Sequence, residues 1–448
     1  MSSRRHVNGI LLIYHRPVSR YFADASNVNE NIAAFGRHSR FKVWELNIDA
    51  GMPPRLPALR FDAIVIHYSA FATGWLPYPF SEAFLEYLAD AGSYLVAIFQ
   101  DEHEFCVRRR AFLERVGIDC VYTLLEPELA PKAYGDLPSK PRLVSHIPGY
   151  VAPELIADAE RFARSDADRE IDIGYRSRPM VPYFGRGGME KSEVGDRFAK
   201  RATGIDLAID ISVREGDRLY GDEWPRFIAN CRAVLGTESG VSCFDLRDEV
   251  RADYLRLRSE LGREPTIDEL EAEGSLARWD WKIPYRTISP RHFEAAALEV
   301  CQILYEGHYS GLMEPMRHYI PLKKDFSNFD EVIERFRDAE LRRELTTNAR
   351  RDLIESGENG YERFIEGFDR VLTGAGLQPA SPPSSELEPV SRDLQAPWRI
   401  RALRRLYSDL AHHPVLGRLL WRVSRPVLGA YRGLRRVLLG RSSGVNVP

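Results

Sequence analysis

Cysteine is scarce in this 448-residue chain: Cys106, Cys120, Cys231, Cys243 and Cys301 stand far apart, with no CxxC pair. An odd, scattered set gives neither a zinc site nor a disulfide framework and fits reduced thiols in a cytosolic setting. Long apolar runs are also missing. No stretch approaches the roughly 20 apolar residues of a membrane-spanning helix. The apolar part of MSSRRHVNGILLIYH stops at His15, too soon for a signal peptide. No GxGxxG follows the first strand-like run, which argues against a dinucleotide cofactor. Net charge is small, at −3, but unevenly placed. From Ser391 onward twelve Arg face only Asp393 and Asp409, a balance of +10 that leaves −13 on the preceding 390 residues. An acidic main body excludes nucleic acid as its natural partner, whereas the tail suits an anionic surface.

What remains is a globular composition, 44% hydrophobic and 28% charged, long enough for two domains and an extension. Apolar runs of strand length at Ile10–Tyr14, Phe41–Leu46, Ala63–His67, Tyr94–Phe99 and Cys120–Leu124 alternate with helical stretches at 26–35 and 81–91. That alternation predicts a parallel sheet covered on both faces, with ligands beyond the carboxyl ends of its strands. Those ends offer His15 and Arg16, then His67, then Gln100-Asp101-Glu102-His103. Asp101 or Glu102 could take a proton from a hydroxyl; a solvated helix cap is the plainer alternative.

A second α/β pattern opens at Ile171–Tyr175. Asp166-Ala-Asp168 precedes that strand and is read as linker charge, not as a metal motif. Behind the strand, GYRSRPMVPYFGRGGMEK gathers Arg176, Arg178, Arg186 and Lys191 around a Gly-rich stretch that opens a helix. Fork-shaped Arg donors and a Lys point charge suit a diphosphate. Leu207–Ser212 and Ala233–Gly236 are further strands, the latter ending in Thr237-Glu238-Ser239-Gly240. Ser289 and Pro290 then start a helix whose Phe293, Ala296, Ala297, Val300, Ile303 and Leu304 share one face. A helix start aimed into a cleft attracts phosphate, and Glu294 in its first turn could accept hydrogen bonds from sugar hydroxyls. Residues 247–280 form a charged helical insertion, 376–397 a Pro/Ser-rich disordered linker, and 398–448 a basic amphipathic tail.

GTESG and SPRHFEAAA, in this order and setting, resemble the donor-binding half of GT-B glycosyltransferases of the "PR-FEAAA" branch. The likeness spans roughly residues 8–372. It implies two Rossmann-like domains facing across a cleft, an acceptor-side domain at 1–155 and a nucleotide-sugar domain at 165–375. In that family the matching residues would be Arg176 and Lys191 at the diphosphate and Glu294 at the ribose; Arg186 is a donor-site candidate by its place in the basic loop. Glu238, with Ser239 and Arg291 beside it, would meet the sugar, and His67 and Asp101 the acceptor. The family places the Glu238 and Glu294 equivalents close together in sequence; here 55 residues intervene.

The expected activity is transfer of a sugar from a nucleotide-activated donor, without metal or other cofactor, to a glycan or lipid-linked acceptor of a bacterial surface polysaccharide. Its place would be cytoplasmic, peripheral at the inner face of the membrane through residues 391–448. The rival reading is a non-catalytic two-domain nucleotide or sugar binder. A third reading takes ELGREPTIDELEAEG for a fragment of a DNA-binding helix-turn-helix; its acidic balance opposes that.

Overall fold

The computed structural model describes residues 4–19, 26–71 and 80–412. Six strands build the first sheet: β1 (Arg5–Tyr14), β2 (Val43–Asn47), β3 (Leu59–Ile66), β4 (Tyr94–Ile98), β5 (Cys120–Thr123) and β6 (Arg142–Ser145). All pair in parallel, in the order 2-1-3-4-5-6. The apolar interiors of β1, β3, β4 and β5 are buried on both faces, as parallel strands covered by helices require. β6 has no counterpart among the expected strands, because RLVS is too short and half-exposed to stand out.

The second half carries β7 (Ile171–Arg176), β8 (Ile209–Ser212) and β9 (Cys231–Gly236). An antiparallel hairpin, β10 (Ser239–Cys243) with β11 (Asp280–Thr287), comes next, then β12 (Cys301–Tyr305) and β13 (Ile320–Leu322). The helix expected to run on through Ile303 and Leu304 stops at Ala297, and those two apolar residues lie in the fully buried β12 instead. Apart from the hairpin these strands form one parallel sheet in the order 13-12-9-7-8. Read from its own first strand, this repeats the winding of the first domain. In each sheet the chain reverses direction at one point, between β1 and β3 and between β7 and β9, and that crevice is where doubly wound sheets bind ligands.

The two halves are joined at several places. The helix Tyr361–Gly374 returns to the first domain, where Phe364 and Phe368 pack on Phe35 and Tyr122. Its buried Asp369 accepts hydrogen bonds from Ser39 Oγ (2.8 Å) and Arg40 N (2.7 Å). The insertion consists of three helices, Glu249–Leu261, Ile267–Ala272 and Ser275–Trp279, held between the two strands of the hairpin. Its Asp248 carboxylate accepts from the N–H groups of Cys106 and Val107, capping a first-domain helix that has no cap of its own. Tyr285 of β11 accepts a hydrogen bond from Asp101 N at 3.1 Å. The hairpin's Val241, Phe244, Ile283 and Tyr285 belong to the first domain's hydrophobic core.

One expectation fails outright. The stretch 376–397 is not a structureless linker: Ser384–Asp393 is a helix, with Val390 and Leu394 buried in the first domain's core. Its Asp393 pairs with Arg5 (3.1 Å) and Arg55 (3.0 Å). The Pro and Ser content hid the apolar spacing of Val390 and Leu394, and Pro383 ends where the helix begins, a position that costs no backbone bond. The helix Trp398–His412 follows, and residues 413–448 of the expected tail lie outside the described residues.

Candidate functional site

A cavity of about 180 Å³ opens at the crevice between β7 and β9. Ser177 and Arg178 enter from the end of β7, Gly236 and Thr237 from the end of β9, and Ser289, Arg291 and His292 from the helix Pro290–Ala297. No side chain caps that helix, so its first-turn N–H groups and the positive end of its dipole face the cavity. Lys191, on the helix Gly185–Arg201, and Arg218 add two more cations to the lining.

Lys191 Nζ donates to Ser239 Oγ at 2.9 Å. Desolvation and the neighbouring Arg291, Arg286 and Arg178 charges pull its pKa down to about 7, against the opposing pull of Asp101. A cation that titrates near neutrality inside a ring of arginines is a site that gains from an anion. Arg178 is exposed and makes no ion pair among the described residues. Arg291 donates to the carbonyl of Arg176 (2.5 Å) and stacks over Trp224 at 4.9 Å. Trp224 Nε1 in turn donates to a carboxylate oxygen of Glu294 at 2.7 Å, so Arg291, Trp224 and Glu294 form one linked set beside the cavity. Burial raises the Glu294 pKa, opposed by the Trp224 hydrogen bond and the Arg291 charge.

The first domain contributes two carboxylates. Asp101 is exposed, with φ at 54°, and its charge reaches Lys191 across the cleft. Glu30 is pushed up to about 7 by burial and by the like charges of Glu154, Asp158 and Glu294. Glu30 was not among the expected residues, since nothing in SNVNENIAAF marks it out from a solvated helix face.

Four of the expected residues do other work. Arg176 is held in two hydrogen bonds of 2.8 Å to Asp210 and lies 4.3 Å over the Phe227 ring, turned away from the cavity's anion side. Arg186 is bound to Asp268 (3.0 Å) and Glu271 of the insertion. The Gly-rich start of its helix is also closed to ligand: Gly187 N donates to Ser242 Oγ (2.7 Å), and a Cβ on Gly185 would strike Asp280. These glycines serve close packing under β10. His67 is fully buried, its Nε2 bonded to Asn31 and its Nδ1 accepting from Ser69 N, and burial lowers its pKa to about 3. It is a neutral cap of the turn Tyr68–Ala70, with both ring nitrogens occupied by Asn31 and Ser69.

Glu238 is likewise enclosed. One oxygen accepts from His308 N (3.1 Å) and Tyr309 N (3.0 Å), and the other faces Arg286. Its carboxylate therefore fixes the loop after β12, while Ser239 next to it holds Lys191. Glu102 is buried among Thr123, Leu124 and Tyr134 and has no path to the cleft. The site that survives comprises Lys191, Arg178, Arg291, Ser239 and Glu294, with Asp101 opposite: cations and a helix start for an anionic group, and carboxylates for hydroxyls.

No protein-family model matches the sequence, and no curated protein matches it. Among solved structures it is similar to an alpha-glucosyltransferase in complex with UDP-glucose and DNA containing an abasic site. That pair shares 11% identity at a TM-score of 0.46, over 82% of this chain and 100% of that one. The Anabaena protein HepE in complex with UDP shares 10% at 0.44, over 82% and 100%. Sucrose-phosphate synthase from Thermosynechococcus elongatus shares 10% at 0.43, over 82% and 99%. At such identities and scores these likenesses add nothing to the case made by the residues.

Proposed function

We propose that the chain is a GT-B glycosyltransferase that takes its sugar from a nucleotide-activated donor. The observation that carries this reading is the cavity between β7 and β9, where Lys191, Arg178, Arg291 and an uncapped helix start converge. A diphosphate fills such a place: charge-assisted hydrogen bonds to its oxygens replace the mutual repulsion of the cations. Glu294, beside the cavity, takes the ribose hydroxyls. The donor's charge is met by side chains, so the reading needs no metal. Asp101 faces the acceptor hydroxyl and polarises it as the glycosidic bond forms and the nucleoside diphosphate departs. The acceptor is a glycan or lipid-linked saccharide of a bacterial surface polysaccharide, reached from the cytoplasmic side by a chain held at an anionic membrane through residues 398–448. Nucleic acid has no place in this reading, given the −13 balance of the main body.

Turnover tests it. Incubated with a panel of nucleotide sugars and acceptor saccharides, the protein should release nucleoside diphosphate; tight binding without release would favour the two-domain binder. Asp101→Asn should lower kcat while nucleotide affinity, measured by calorimetry, stays within about twofold. Full turnover in that variant would remove Asp101 from the reaction. Glu294→Ala should weaken nucleotide binding by about 1.5–3 kcal/mol, the range for hydrogen bonds that involve a charged group. A nucleoside diphosphate lacking the ribose 2′-hydroxyl should lose less on that substitution than the parent does.

A further inference from the structure

The helix Trp398–His412 is docked the wrong way round for a protein in water. Its Ser408 is buried, while Trp398 (68%), Leu403 (67%), Leu406 (58%) and Tyr407 (65%) are exposed. At about 100° per residue, Leu403, Leu406, Tyr407 and Leu410 share an arc of about 100°, and Ser408 lies on the opposite side of the helix. The helix thus touches the body at Ser408, with Arg401 and Arg405 exposed beside it, and turns its apolar stripe outward. It packs on the turn Ile48–Ala50, which directly follows β2 at the carboxyl edge of the first sheet. There His15 Nε2 lies 3.4 Å from Asp49, so the helix borders the strand ends of the acceptor-side domain.

An outward apolar stripe has three conceivable covers: lipid, the rest of the chain, or a second copy. The charge pattern separates them. Arg399, Arg401, Arg404 and Arg405 stand in this helix against Asp409 alone, and residues 413–448 add seven Arg and no Asp or Glu. Folding that segment, or another copy of this helix, over the stripe would bring like charges together. An anionic bilayer offers acyl chains to the stripe and counter-charge to Arg399, which falls within the same arc, and to the seven Arg that follow the helix. We infer that Trp398–His412 is an interfacial helix whose outward face, built on Leu403, Leu406, Tyr407 and Leu410, inserts into an anionic membrane. Its attachment beside β2 then turns the carboxyl ends of β1 and β3 toward the lipid surface, which suits an acceptor with a lipid carrier. The membrane assignment stands on the helix alone; only this last step rests on the transferase reading.

The test uses the full chain and phosphatidylcholine vesicles with or without phosphatidylglycerol. Wild type should sediment with the anionic vesicles, be released by high salt, and ignore pure phosphatidylcholine. The variant Leu403→Glu/Leu406→Glu/Leu410→Glu should bind at least about tenfold more weakly, with its melting temperature and its turnover of a water-soluble acceptor unchanged. Equal binding of variant and wild type would overturn the assignment, as would a wild type that ignores anionic vesicles. So would a lipid-free wild-type dimer that the variant converts to monomer, or protease cleavage of residues 413–448 that appears only in the variant. Loss of turnover with retained vesicle binding would instead count against the transferase reading.

Discussion

Replacing Lys191 by Met should weaken nucleoside diphosphate binding by about 1.5–3 kcal/mol, roughly ten- to a hundredfold in Kd. Lys191 is the one lysine that lines the cavity, and its ammonium is held there by Ser239 at 2.9 Å. The same residue should give binding a characteristic pH dependence. In the empty protein its pKa is drawn down to about 7, so above neutrality an increasing share of the site is uncharged. A bound diphosphate stabilises the ammonium and raises that pKa, so binding takes up a proton once the pH exceeds about 7. The Lys191 contribution to affinity should fall by up to about tenfold per pH unit above that point. Calorimetry in two buffers of different ionisation enthalpy measures the proton directly. Lys191→Arg, charged throughout, should abolish the uptake while keeping much of the affinity. Pairing with folding has the opposite sense: a Lys with its pKa depressed in the folded state adds stability as pH rises from about 7 toward the usual lysine range, because folding there releases a proton. Proton uptake equal in wild type and Lys191→Arg would show that another group titrates on binding.

Much of the architecture was legible because it rests on periodicity. Ile10–Tyr14 and Ala63–His67 are apolar on both faces and Ile171–Tyr175 alternates, and each forms a strand at the expected place. The site was legible only in part, for a reason that Arg176 and Arg186 make plain. A cation's role depends on where its nearest carboxylate lies, and Asp210 and Glu271 are distant in sequence. Lys191 lines the cavity and Glu294 lies beside it, yet the partner that links Glu294 to the arginines, Trp224, sits 70 residues earlier with nothing to mark it. His67 illustrates the converse. A histidine at a strand end looks reactive in a sequence, whereas burial beside Asn31 and Ser69 makes it a neutral structural cap. The insertion was visible as a charged helical piece, but its mounting on an antiparallel hairpin, and its reach to the first domain through Asp248, depend on tertiary contacts that no local pattern carries.

Replacing Arg286 by Ala should cost about 3–5 kcal/mol of stability in the second domain, the usual penalty for breaking a buried ion pair from one side. Arg286 lies between two buried carboxylates, 2.5 Å from Glu190 and 3.4 Å from Glu238, with its third nitrogen donating to Gly187 O at 2.6 Å. Lys324 still pairs with Glu190 at 2.7 Å, so the charge left without a cation is chiefly that of Glu238. Glu238 matters beyond its charge. It holds the N–H groups of His308 and Tyr309, at the start of a loop in which Tyr309 and Ser310 carry φ values of 49° and 55°. Non-glycine residues keep such angles only where their surroundings enforce them. The Cβ of any residue at Gly307 would come within 2.8 Å of the Glu238 side chain, so loop and carboxylate fit each other closely. Urea unfolding followed by tryptophan fluorescence should therefore show a lower midpoint for Arg286→Ala. Adding Glu238→Gln should restore part of the loss, because the amide oxygen can still accept from the loop and no unpaired charge remains. If the double variant were as unstable as the sum of the two single ones, Arg286 would act through the Gly187 carbonyl and Glu190, not through Glu238. Ser239, next in the chain, positions Lys191, so the same single variant should also weaken nucleotide binding even though Arg286 does not line the cavity.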